Sequence, residues 1–453
     1  MLDIFSELLP YDLVLIIGYI WFFIKYKNNY LLLLIVTLFF AGIFKDFGDI
    51  LLYRILFSSN KHLNIGTVIF EIGTLILTIV IFLKYYQSLK LRKHNLLITI
   101  FIIYCVWFFV ASVVINNDSV LLFTRELSKD LIPFLLFFIF AKIMQEPNNS
   151  ETLKLLFFRL INAQILFSIA KLIILMDYHE GMVGSLTGIS KGGPGTTLPL
   201  LGMIFIALNS KMILKRKDIW MIVGLLLTGI LAGKRALLLL FPVLYVLLSI
   251  YVYRKKFGRN LIYVVILLPA IIYIGLRLMP TLNPENKIWG SFNPEYAWNY
   301  GVKYSTGKED PSDEIEKGTG RLGALVLSLD LFTDNTISNE KIVFGHGLEY
   351  FSMAGDRYYD RDYWWGISGR GAITGILYKF FSIGLICTVL YVLYLLLFLS
   401  QVKNKRLRHT MILVVFFDFI FYNATIITLP SLFALLIFEM FYDTSMTRKN
   451  IRV

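Results

Sequence analysis

Charge is what this sequence has least of. Only 17% of its 453 residues are Asp, Glu, Lys or Arg, against roughly 25% in ordinary soluble domains, which excludes a soluble body with a conventional charged surface. Cysteine is scarcer still. Cys105 and Cys387 both fall inside apolar runs, where sulfur serves as a small hydrophobe, so neither a disulfide framework nor a CxxC zinc site is expected. The five histidines, His62, His94, His179, His346 and His409, form no HxxxH or HExxH pair; no metal site is expected, and no cofactor. The first apolar run lacks a basic n-region and a small-residue cleavage site, so no cleavable signal peptide is expected. No internal repeat and no matched pair of interrupted apolar segments points to a solenoid or an inverted-repeat transporter.

Apolar length is abundant instead. Hydrophobic residues make up 57% of the chain and the mean hydropathy is +0.68. A bilayer core takes roughly 20 mostly apolar residues per helix, and stretches near that length recur from end to end. Spans are predicted near 8–24, 30–47, 65–83, 96–115, 124–143, 155–176, 196–210, 218–232, 236–253, 260–277, 373–399, 409–422 and 425–442. The expected fold is therefore an all-α polytopic membrane protein of about 13 transmembrane helices, with a range of about 12–14.

A net charge of +13 would suggest nucleic acid in a soluble protein, but here the bilayer, not nucleic acid, is the expected partner. The cations gather in short loops: Lys25/Lys27, Lys84/Lys90/Arg92/Lys93, Lys211/Lys215/Arg216/Lys217, Arg254/Lys255/Lys256/Arg259, Lys403/Lys405/Arg406/Arg408 and the tail Arg448/Lys449/Arg452. The positive-inside rule makes these cytoplasmic and turns the loops 177–195, 233–235 and 278–372 outward. The acidic start, Asp3, Glu7 and Asp12, fits an external N-terminus. Three regions follow: helices over 1–277, an external loop over 278–372, and the last helices with a cytoplasmic tail over 373–453. A loop of about 95 residues is usually functional or disordered. This one reads as ordered because it is rich in Trp and Tyr and contains an amphipathic helix, Arg321–Phe332, with Leu322, Leu325, Val326, Leu329 and Phe332 at helical spacing. Such a helix lies at the membrane surface or caps the bundle.

Three cationic motifs stand in the outward segments. Leu231-Ala-Gly-Lys-Arg-Ala236 puts Lys234 and Arg235 into a tight turn between apolar runs. Interfacial snorkelling is one account of them; an anionic ligand such as a phosphate, held by the bidentate fork of Arg, is the other. Gly318-Thr-Gly-Arg321 sets an arginine at a helix start, and Gly366-Ile-Ser-Gly-Arg-Gly-Ala372 sets Arg370 just before a span; each is either a plain turn or an anion site. Arg235, Arg321 and Arg370 converging would hold a pyrophosphate without a metal.

These stretches carry a resemblance. LAGKRALLLL (231–240), GTGRLGALVLSLDLF with IVFGHGLEYF (318–351) and GILYKFFSIGLICTVLYVLY (375–394) resemble the Wzy/WaaL superfamily of O-antigen polymerases and ligases, over roughly the C-terminal half. The resemblance implies a bacterial inner-membrane enzyme with a periplasmic active face. It implies undecaprenyl pyrophosphate-linked glycan as donor and acceptor, with Arg235 and Arg321 gripping the donor's pyrophosphate. It also implies a chain-length regulator protein as a partner. Ligases of this family place a His-Asn pair where this chain has Ala372 and Ile373. The expected reaction is polymerisation of O-antigen or capsule repeats; a ligase acting on lipid A core and a flippase of lipid-linked glycan are the alternatives. Attack by a sugar hydroxyl needs a carboxylate or imidazole as base. His346 in Gly345-His-Gly347, Glu349 and Asp360 are the catalytic candidates, with an ordinary turn histidine and a solvated Asp360-Arg-Asp362 loop as the competing accounts. Glu71, inside an apolar span, is expensive to bury charged.

Overall fold

Apolar runs can satisfy their backbone polar groups in a bilayer only as helices or closed barrels. Every regular element among the described residues is a helix. The computed structural model describes residues 10–29, 31–35, 37–38, 65–86, 94–175, 183–184, 186, 193–210, 215–252, 257–306, 320–333, 337–348, 374–422 and 424–451. In chain order the helices are α1 (Pro10–Tyr26), α2 (Ile65–Tyr85), α3 (Asn95–Phe109, continued by a π-helical turn to Ile115), α4 (Val120–Ile143), α5 (Pro147–Leu175), α6 (Pro194–Ser210), α7 (Arg216–Leu231) and α8 (Arg235–Leu247, with a π-helical turn to Val252). There follow α9 (Phe257–Leu278), α10 (Pro294–Thr306), α11 (Gly320–Thr333), α12 (Asn339–Phe344), α13 (Gly375–Ser400), α14 (Lys405–Phe421), the single turn α15 (Thr425–Thr428) and α16 (Pro430–Ile451).

The segments Asn95–Ile115, Asn148–Ile173 and Gly375–Ser400 are long and apolar enough to cross a membrane. Shorter apolar helices cover Gly73–Tyr85, Pro194–Ser210, Arg235–Ile250, Leu268–Leu278 and Pro430–Tyr442. Large apolar side chains stand exposed along these helices, among them Ile102, Val106, Leu166, Ile173, Leu239, Val265 and Leu393. An apolar surface this extensive belongs against lipid.

Local chemistry sets the helix ends. Proline opens α5, α6, α10 and α16, where its missing N–H costs nothing. The Asn404 side chain accepts from the Arg406 and Leu407 N–H groups at the start of α14 (3.1 and 3.3 Å), and the Asp218 carboxylate accepts from the Lys215 N–H at the start of α7 (2.9 Å), each satisfying a donor at a helix start.

The chain forms two compact units, each assembled from separated stretches. Unit 1 comprises Met1–Leu89, Leu131–Leu268 and Leu429–Val453; unit 2 comprises Lys90–Asp130 and Pro269–Thr428. In unit 1, α6 is the central helix, buried at every residue from Pro194 to Leu208 and packed on α7, α8 and α16. Close approach there depends on glycine: a β-carbon on Gly202 would stand 2.5 Å from Leu225 Cδ1, and one on Gly229 would stand 2.0 Å from Leu237 Cδ2. Small residues serve membrane helix packing in this way because lipid offers no hydrophobic drive toward association.

In unit 2, α13 is central, packed on α3, α12 and α14. Rings of Phe101, Tyr104, Tyr391, Tyr394 and Phe419 fill its core at centroid separations of 5.0–6.0 Å, each pair adding to the area it buries. The expected amphipathic helix is present as α11. Its buried side is the small residues Ala324 and Ser328, while Leu322 and Leu329 of the expected apolar stripe are 41% and 66% exposed. Leu325 and Val326 of the same stripe are half-buried.

Candidate functional site

Each unit carries a cluster of polar groups. In unit 1 the turn after α7 is made by Gly233 (φ 65°), a left-handed conformation that glycine adopts without strain. The Lys234 N–H closes the turn onto the Gly229 carbonyl (3.0 Å), and Arg235, half-buried, opens α8. Lys234 is only 7% exposed because its stem lies against the first turn of α6: a β-carbon on Gly195 would stand 2.8 Å from Lys234 Cγ and from Ala232 Cβ. Two helix starts, those of α6 and α8, therefore meet with the Lys234 stem between them. Their amide dipoles carry partial positive charge and reinforce Lys234 and Arg235 toward an anion. Thr196, wholly buried on the first turn of α6, has a hydroxyl with no hydrogen-bond partner in the structure.

In unit 2, Arg321 opens α11 and its guanidinium lies 4.2 Å from the Tyr422 ring centre, a cation–π contact. Tyr422 also anchors the start of α13, since its carbonyl accepts from the Gly375 N–H (2.6 Å). Asp418, one turn earlier on α14, is consumed by structure: it accepts from the Thr425 hydroxyl and the Ile426 N–H, each at 2.7 Å. The N-cap residue Thr374 has a buried hydroxyl with no partner. Arg321 is thus fixed beside the first turn of the longest apolar helix of unit 2, again a cation at a helix start.

The third feature is a break in α13. Gly384 has φ 81° and ψ 175° inside the helix, so the carbonyls before it lose their usual partners. Backbone from Gly345-His346-Gly347 replaces them: the His346 N–H donates to the Phe381 carbonyl (2.8 Å) and the Gly347 N–H to the Ser382 carbonyl (3.0 Å). Only glycine fits this crossing. A β-carbon on Gly384 would stand 2.1 Å from the Val343 carbonyl oxygen, and one on Gly345 would stand 2.5 Å from the Ser382 carbonyl. Beyond it, the buried Asp118 carboxylate accepts from the Leu348 N–H (2.7 Å) and the Ser112 hydroxyl (2.6 Å). Lys341 donates to the Asn116 side chain (2.7 Å), and Trp107 stacks on Phe344. Burial first, and then the Lys341 cation, push the His346 imidazole down to about 4, so it is neutral at physiological pH and a weaker base than an exposed histidine.

Deeper in unit 2, Lys379 Nζ pairs with Asp130 Oδ2 at 2.6 Å, with side chains 13% and 1% exposed. Tyr104 shares the carboxylate (2.6 Å) and accepts from Lys379 at 2.9 Å, while the ammonium lies 4.5 Å from the Tyr391 ring centre.

Of the sequence candidates, Lys234 and Arg235 lie in unit 1, and Arg321 and His346 in unit 2. Arg370, Glu349 and Asp360 fall outside the described residues, as does the side chain of Glu71. The glycine-rich start of α6, the helix break and the Lys379–Asp130 pair were missed. Each left a signal: Gly192-Gly-Pro-Gly195 ahead of two threonines, Gly384 inside an apolar run, and charges inside predicted spans. No protein-family model, no curated protein and no solved structure matches this chain.

Proposed function

We propose that this chain polymerises undecaprenyl pyrophosphate-linked oligosaccharide repeats, transferring the growing glycan to an incoming lipid-linked repeat at the periplasmic face of the bacterial inner membrane. The observation that carries the reading is the seating of the Lys234–Arg235 turn on the start of α6, which sets a nearly buried cation beside two helix starts, surroundings that favour an anionic ligand. The proposed topology has about 13 spans with the 278–372 region outside. Lys234 and Arg235 are assigned to the donor pyrophosphate by their turn, Arg321 by the resemblance, and Arg370 by its glycine-flanked motif just before a span. In the reaction an acceptor hydroxyl oxygen bonds to the anomeric carbon of the donor as the bond to the pyrophosphate oxygen breaks. The cations stabilise the charge that develops on that leaving group. The hydroxyl proton passes to a base, for which His346, Glu349 and Asp360 are the candidates; the His346 imidazole is neutral and so able to accept it, as a weak base.

A flippase is the second reading, favoured by the break in α13, because interrupted helices recur where transporters bind cargo. Purified protein reconstituted with lipid-linked repeats alone separates the readings. A polymerase builds a ladder of glycan lengths; a flippase moves the lipid without lengthening it; a ligase needs lipid A core as well. Arg235→Lys and Arg321→Lys are expected to lower ladder formation on the order of 10²-fold, the scale for losing one oriented donor to a developing anion. Undiminished elongation by both variants sinks the assignment of these residues.

A further inference from the structure

Glu439 of α16 plays no part in the reading above, and its surroundings in unit 1 are unlike those of any other acid described. The α16 residues from Leu432 to Glu439 are wholly buried. Neither carboxyl oxygen of Glu439 has a hydrogen-bond partner. Its neighbour Phe438 packs on Phe157 of α5 (5.0 Å between ring centres) and on Phe205 of α6 (5.9 Å), and Phe441 packs on Phe137 of α4 (5.4 Å). Among the described residues no cation is placed to neutralise it. Helix α6 carries no titratable side chain. On α5, Lys154 pairs with Glu151 at 3.3 Å and lies by the Tyr442 ring, Arg159 is exposed, and Lys171 is engaged with a partner of its own. Lys142 is the one charged residue of α4 within unit 1, and it is half-buried. A carboxylate left ionised without a partner in such surroundings costs several kcal/mol or more, so the group takes a proton instead.

Further unpartnered polar atoms stand at the end of α6. The Phe205–Phe438 contact sets the register, and one turn beyond Phe205 the Asn209 side-chain oxygen and the Ser210 hydroxyl are shut off from solvent with no partner. Polar atoms left open in this way are the partners a transient water requires. We propose that Glu439 is a proton-binding site within the membrane domain: a neutral carboxylic acid in the closed unit, exchanging its proton by way of the Asn209–Ser210 end of α6 and ionising only when the α5–α6–α16 packing opens. Its ligand is a proton, and the site stands independently of the glycan chemistry.

Infrared difference spectroscopy on the full-length protein in vesicles tests this. Wild type minus Glu439→Gln at neutral pH is expected to contain the carbonyl stretch of one protonated carboxyl, and that band is expected to shift on transfer to deuterium oxide. Absence of the band means the group is ionised, and a band unmoved by deuterium means the proton does not exchange; either result overturns the proposal. If the glutamine variant does not accumulate, wild type before and after reaction with dicyclohexylcarbodiimide takes its place. In that reaction the acid proton passes to a reagent nitrogen, the carboxyl oxygen bonds to the central carbon, and an acyl shift to nitrogen leaves a stable adduct with nothing lost. The adduct must map to Glu439 and remove the band. A band untouched, or an adduct on other carboxyls alone, counts against the site.

Discussion

Lys379 and Asp130 are the residues whose pairing the chain's fold makes most consequential. An ammonium and a carboxylate this buried gain from each other only because geometry and extra bonds are good, here the Tyr104 hydroxyl and the Tyr391 ring. Removing one partner leaves the other charge uncompensated, at a cost of about 3–5 kcal/mol, whereas replacing both with apolar groups is often neutral. Lys379→Met alone is therefore expected to lower the midpoint of thermal unfolding in detergent sharply, and Lys379→Met with Asp130→Leu to recover most of the loss. Equal loss in single and double variants would show that the pair does not act as a unit. The sequence displays both charges inside predicted spans and so marks each as costly. It gives no hint that they meet, because 249 positions separate them and no local spacing rule reaches that far.

Among the elements, α13 shows where hydropathy reading stops. The run from Gly375 to Ser400 has one charged residue, Lys379, and reads as one span; a sliding average cannot register a single residue with reversed φ. The break at Gly384 is tolerable in an apolar setting because the freed carbonyls are satisfied by backbone from 346–347. Gly384→Ala is expected to dislodge that segment, since a methyl would stand 2.1 Å from the Val343 carbonyl oxygen and the left-handed conformation itself costs about 1–3 kcal/mol for a residue with a side chain. Hydrogen exchange reads the effect: the His346 and Gly347 amides lose protection while those of α3 keep it. His346 adds a pH dependence whose sign is fixed. Its imidazole is depressed to about 4 in the fold from about 6.5 in an unfolded chain, so the undocked form binds more protons between those values. Docking is fully stable above about 6.5 and weakens as the pH falls toward 4. His346→Gln removes this dependence without moving the glycine crossing. Protection that is flat between those pH values in wild type would contradict the burial of the imidazole. Gly345-His-Gly347 stood out in the sequence as a candidate site; the helix break it packs against did not.

For the whole molecule, helix positions were legible and membrane lengths were not. Helices occupy the positions of the predicted spans at α1 through α9, α13, α14 and α16, because apolar runs bounded by Lys, Asn, Pro and Gly leave few other solutions; most of the predicted span 30–47 lies outside the described residues. Length is a different matter. Helix α7 has 16 residues and therefore extends about 24 Å, short of a hydrocarbon core of about 30 Å. Apolar stretches below full span length serve equally as buried core helices, and α6, buried from Pro194 to Leu208, has that character. Sidedness decides which of these short helices cross. Lys217, Lys287 and Lys403 are exposed in their units and suit single-cysteine labelling once Cys105 and Cys387 are replaced. The loop charges predict that a membrane-impermeant maleimide added to intact cells reaches Lys287→Cys, and reaches Lys217→Cys and Lys403→Cys only after lysis. Because α7 alone separates Lys217 from the 232–235 turn, cytoplasmic labelling at Lys217 with a crossing α7 puts Arg235 on the opposite side, the side on which the proposed reaction requires it. Labelling of Lys217→Cys in intact cells would reverse that turn into the cytosol and remove the physical basis for Arg235 as a donor-binding residue, whatever the chemistry at Arg321.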